Sequence, residues 1–149
     1  PRASQWRKGS QLLNRRKLVF VYNAQSGILN AVKDSLQKTF APQTYQCNLC
    51  AVTYGSVAMK REWKRFVESL DIEVEFLHID EFESRYTGGE AARFRPYPAV
   101  FIVKEELNSD AAGHEASPAV LISADEINSI TSLSELIALV TKKLHAEQQ

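Results

Sequence analysis

Short unbroken apolar runs alternate along this chain with apolar stripes at helical spacing. Leu18-Val19-Phe20-Val21-Tyr22 is rich in β-formers and has no polar interruption, the pattern of a strand buried on both faces. Asn23 to Gly27 breaks the run. Ile28, Leu29, Val32, Leu36 and Phe40 then predict a helix over 28–40, with Ser26 as its N-cap and Pro42 as its stop. The stretch from Gln43 to Gly55 matches neither a clean helix nor a clean strand. Met59, Trp63, Phe66 and Leu70 fall on one stripe of a second helix. Glu73 to Asp80 is expected as the second strand, and Gly88-Gly89 marks a loop or helix break. Ala99 to Val103 is expected as the third strand, introduced by Arg95-Pro96-Tyr97-Pro98. Lys104 to Pro118 reads as a long polar connection with Asn108, Asp110 and Gly113 as turn formers. Ala119 to Ile122 is the fourth strand. Ser132 and Glu135 then predict a capping box for a last helix whose apolar face is Leu133, Leu136, Ile137, Val140 and Leu144, with Lys142 and Lys143 in its final turn.

Composition changes this picture little. At 149 residues, 44% hydrophobic and 24% charged, the chain is expected to form one α/β domain with a core of its own. Charge changes it more. Residues 1–17 hold six basic side chains and no acid, while the remainder carries 12 basic and 18 acidic ones. Residues 1–16 are therefore expected as a disordered tail or a non-native extension, since the chain begins at Pro1. The acidic body argues against nucleic-acid binding, which needs clustered Lys and Arg on the folded surface. No apolar run approaches the roughly 20 residues that span a bilayer. The chain reads as cytoplasmic.

The candidate chemistry is concentrated in one place. Both cysteines lie in Cys47-Asn48-Leu49-Cys50, a spacing that permits a disulfide, a shared metal or a redox cycle. Three readings stay open. As a thiol–disulfide pair, one cysteine attacks and the other resolves. As metal ligands, two thiolates supply half of a zinc or iron–sulfur site, to be completed by His78 with an acid or by the pair of a second subunit. As packing residues, both thiols are small apolar groups set against the second helix, and the protein is a binding or scaffold module. His78 itself reads as a strand-end histidine, and Asp80, Glu81 and Glu83 read as solvent-facing. The turn from Asn23 to Gly27, with one glycine, reads as an ordinary strand–helix connection more than an anion site.

A strand–helix–strand unit followed by a hairpin and a closing helix resembles the thioredoxin-like plan, a four-stranded mixed sheet with helices on both faces. Ile79-Asp80-Glu81, a loop, and then Tyr97-Pro98-Ala99-Val100-Phe101-Ile102 resemble the second half of a thioredoxin. There the matching proline is cis and opens the third strand beside the active site, so the resemblance implies that role for Pro98. In thioredoxins the CxxC follows the first strand directly, where helix N–H groups lower the thiol pKa. Here that place is Ala24-Gln25-Ser26-Gly27, and Ala51 to Gly55 make a poor continuation for a helix. The expectation is therefore a domain over 17–149 with an inserted loop and helix carrying the CxxC, and no evident device for activating Cys47. If residues 47–55 fold back toward Pro98, then Cys47, Cys50 and Pro98 form a site lined by Tyr97 and Thr53. Its partner would be a protein thiol or disulfide.

A second resemblance is closer in sequence. Val21-Tyr22-Asn23 with Ser26-Gly27, Thr44-Tyr45-Gln46-Cys47-Asn48-Leu49-Cys50 with Thr53 and Gly55, and Glu62-Trp63 with Phe66 resemble a family of short bacterial proteins without an assigned function. Some members carry a GTPase label. This chain has no G-x-x-x-x-G-K-[ST] stretch to cradle phosphates, because Gly27 is followed by Ile28 and Leu29.

Overall fold

The apolar run of the first strand is sealed on both sides, and the rest of the architecture is arranged to do so. The structure is a computed structural model that describes residues 14–25, 47–55, 58–87, 91–107 and 114–149. In chain order the elements are β1 (Asn14–Tyr22), α1 (Asn48–Thr53), α2 (Arg61–Ser69), β2 (Glu73–His78), α3 (Ile79–Tyr86), a 3₁₀ turn (Ala91–Phe94), β3 (Ala99–Leu107), β4 (His114–Ile122), α4 (Ala124–Ser129) and α5 (Leu133–Glu147). The strands form one mixed sheet in the order β2-β1-β3-β4. β1 runs parallel to β2, with Leu18 beside Val74 and Tyr22 beside His78. It runs antiparallel to β3, with Val19 beside Phe101 and Val21 beside Ala99. β3 and β4 are antiparallel.

Side chains alternate across the sheet and build two cores. Leu18, Phe20, Tyr22, Val100 and Ile102 face α1, α2, α4 and α5, meeting Leu49, Trp63, Ile127, Leu136 and Val140. Phe20 stacks on Phe76 and meets the Trp63 ring edge-on at 5.3 Å. On the opposite face Val19, Val21, Phe101 and Val103 meet Phe82 and Tyr86 of α3 and Phe94 of the 3₁₀ turn. Phe82 stacks on Phe101 with centroids 4.3 Å apart. A mixed α/β fold with helices on both sheet faces is thus observed.

Several expected boundaries are corrected. β1 begins at Asn14, inside the segment expected as a tail, because Lys17 is clamped by Glu105 at 2.9 Å and Glu73 at 3.9 Å on the flanking strands. The expected polar connection over 104–118 is largely strand, since β3 runs to Leu107 and β4 starts at His114. Pro118 is tolerated there because β4 is an edge strand. β2 stops at His78 rather than Asp80. Asp80 and Glu81 sit in the first turn of α3, where negative charge suits the helix, and Phe82 and Tyr86 supply its buried stripe. The helix expected over 28–40 lies outside the described residues.

The last helix starts as expected at its cap, with Ser132 Oγ accepting from the Glu135 N–H at 3.2 Å. The return arm goes one residue further back, where Glu135 Oε2 accepts from the Thr131 N–H at 2.6 Å. Lys143 pairs with Glu126 at 2.6 Å and ties α5 to α4. A capping box not foreseen from the sequence starts α4, formed by Ser123 and Glu126.

Candidate functional site

The cysteine pair sits at the carboxyl end of β1, the end at which parallel α/β sheets place their sites. Just past the strand, the Ala24 carbonyl accepts from the Ile79 N–H at 3.0 Å and fixes the turn against the start of α3. Cys47 is the N-cap of α1, with an extended backbone at φ −123° and ψ 92°. Its sulfur occupies the place usually taken by a serine or aspartate oxygen. The Cys50 N–H points at Cys47 Sγ from 3.3 Å. The Asn23 N–H, just beyond β1, points at the same atom from 3.4 Å. The expectation of a poor helix after the cysteines is therefore corrected: residues 47–55 do contain a helix, and two backbone donors converge on Cys47.

Environment separates the two thiols. The neighbouring Cys50 thiol holds Cys47 below the ordinary thiol range in spite of its burial, and the N–H groups of Cys50, Asn23 and Leu49 add to the effect. The same contact, together with burial, pushes Cys50 well above that range. Cys47 is only 3% exposed, whereas Cys50 is half-buried, and both are free thiols.

Neighbouring residues hold α1 in place. Asn48 Nδ2 donates to the carbonyls of Ile127 at 2.6 Å and Ile130 at 2.9 Å, closing the carboxyl end of α4. Tyr22 is buried beside the pair, its ring 6.0 Å from that of Tyr54, and its hydroxyl has no hydrogen-bond partner among the described residues. Burial, reinforced by Tyr54 and the two cysteines, holds that phenol far above its ordinary pKa.

Pro98 is brought to the same end of β1, because Ala99, the next residue, pairs with Val21. The Tyr97–Pro98 and Arg95–Pro96 bonds are both cis. Tyr97 does not line the cysteine site: it packs in the opposite core with Phe82 and Phe101, and its hydroxyl donates to Glu83 at 3.3 Å. Thr53 is fully buried, and its hydroxyl donates to the Leu49 carbonyl at 2.6 Å within α1. His78, as expected, ends β2; it is the N-cap residue of α3 and shares a hydrogen bond with the partly exposed Glu81 at 2.6 Å. Among the described residues no group of three or more His, Cys, Asp or Glu side chains is placed to hold a metal, so His78 and an acid do not complete a site with the cysteines. None of the described helices is long and apolar enough to cross a membrane.

The sequence carried no sign of the parts played by Asn23, Asn48 and Tyr22. Asn48 stood inside the CxxC, but its partners lie 79 and 82 residues away. No family model, no curated protein and no solved structure matches the chain.

Proposed function

We propose that the protein is a thioredoxin-like thiol–disulfide module in which Cys47 and Cys50 cycle between dithiol and disulfide beside Pro98. The observation that carries this reading is the convergence of the Cys50 and Asn23 N–H groups on Cys47 Sγ, at 3.3 Å and 3.4 Å. Donors aimed at a sulfur favour its thiolate, the form in which a sulfur of the pair holds charge, accepts a proton from its neighbour and leaves best. The sheet order β2-β1-β3-β4, with one parallel and two antiparallel pairings, supports the thioredoxin-like plan. A protein thiol or disulfide is the partner this chemistry suits, and a reducing compartment such as the cytoplasm suits the free thiols.

The burial of Cys47 favours a second reading, in which the thiols only pack and the domain is a binding module. Intact-mass spectrometry separates the two. On exposure to a small disulfide, the mass of a redox pair falls by about two protons and recovers with reductant, and Cys47→Ser abolishes the change. An unchanged wild-type mass refutes the redox reading. Metal retained by protein prepared without oxygen, and lost in Cys47→Ser, would instead point to a zinc or iron–sulfur site shared between subunits.

A further inference from the structure

We propose that thiol–disulfide exchange in this protein passes through a mixed disulfide on Cys50, with Cys47 as the buried thiol that takes up its proton and then resolves the adduct. The inference rests on the redox reading above and deepens it by assigning each sulfur its step. Exchange requires an incoming disulfide to approach the attacking sulfur in line. Cys47 is 3% exposed, in the same core as Tyr22 and Leu49 and against the Asn23 N–H just past β1, while Cys50, on the first turn of α1, is half-buried. Cys47 Sγ is also already engaged by the Asn23 and Cys50 N–H groups. Those bonds suit a sulfur that holds negative charge within the protein more than one that must swing out to a partner.

The chemistry balances with a small disulfide R–S–S–R as oxidant. As Cys50 Sγ attacks, its proton passes to the Cys47 thiolate, whose Sγ lies 3.3 Å from the Cys50 backbone nitrogen. Cys50 Sγ attacks one sulfur of R–S–S–R, the Cys50–S–R bond forms, and the first R–S⁻ leaves with the electron pair and regains the proton from Cys47. The Cys47 thiolate then attacks Cys50 Sγ and expels the second R–S⁻. Two electrons have moved from the dithiol to R–S–S–R. In reverse, an incoming thiolate strikes the accessible Cys50 sulfur, and Cys47 leaves as the better-stabilised thiolate.

The test uses cystamine as R–S–S–R and intact-mass and peptide mapping of the full chain. Cys47→Ser is expected to accumulate a stable adduct on Cys50, and Cys50→Ser to form its Cys47 adduct more slowly by a factor of about ten at least. Because either variant can lose α1, the wild type is also quenched with acid during the first turnover. Its trapped adduct is expected on the Cys50 side of the peptide. An adduct on Cys47, or faster labelling of Cys50→Ser, overturns the assignment while leaving the redox function standing. A wild type that never forms the disulfide overturns both.

Discussion

Asn48 offers the most direct check on how α1 is held. Asn48→Ala removes two side-chain hydrogen bonds, to the Ile127 carbonyl at 2.6 Å and the Ile130 carbonyl at 2.9 Å. A hydrogen bond contributes about 1 kcal/mol net, so the pair is worth about 2 kcal/mol. The Ile127 carbonyl keeps the Ile130 N–H at 3.3 Å, and the site is only partly buried, so water recovers some of the loss. The expected cost is about 1–2 kcal/mol, or a fall of roughly 3–8 °C in melting temperature for a domain of this length. Urea unfolding followed by fluorescence reads it, with Trp63 fully buried as a reporter. Asn48→Asp keeps the size but turns a carboxylate toward two carbonyl oxygens, and should cost more than the alanine. Release of α1 should also let the Cys47 pKa rise toward its ordinary value, seen as a shift in the pH profile of thiolate absorbance. A change below about 0.5 kcal/mol, or an aspartate no worse than alanine, refutes the tie between α1 and α4.

Two further outcomes follow from single groups. Tyr22→Phe deletes a buried hydroxyl without a described partner, so stability should be unchanged or rise by up to about 1 kcal/mol; a loss of that size in urea unfolding would mean that the hydroxyl is bonded. Glu126 is held below its ordinary pKa by Lys143 and by the Ser123 N–H, so its contribution is present above the ordinary carboxylate range and fades as pH falls through the lowered value. Glu126→Gln keeps the capping box and removes only the charge, costing about 0.5 kcal/mol at neutral pH. The difference from wild type should vanish in acid, and a pH-independent difference in melting temperature refutes the pairing.

What was legible in the sequence depended on how many independent signals agreed. The last helix carried a cap, an apolar stripe and a length of several turns, and its start was placed correctly at Ser132. β1 and β3 announced their cores through unbroken apolar runs, but their polar ends were misread. Lys17 and Glu105 look like loop residues until the two strands are set side by side and the charges meet. α3 was hidden because Ile79 prolongs the apolar pattern of β2, and its two buried aromatics are too few to fix a period. α1 was hidden because its N-cap is a cysteine and its buried stripe, Leu49, Val52 and Thr53, spans a single turn and is too short to fix a period. Cys47 and Cys50 were identifiable as candidates by spacing alone. Their unequal environments were not, because Asn23, Ile127 and Ile130 reach them or their helix from distant parts of the chain.

That distance has a consequence for the order of synthesis. The carbonyls that anchor the cysteine helix are made 79 or more residues after Asn48. At ribosomal rates of 5–20 residues per second the growing chain carries its two thiols for roughly 4–16 s before the anchor exists. Throughout that interval α1 has no hold on α4, and for much of it β1 still waits for β3, which ends at Leu107, and β4, which ends at Ile122. The anchor of the cysteine helix is therefore supplied late, by α4 and the residue that follows it, although the donors to Cys47 Sγ come from Asn23 and Cys50.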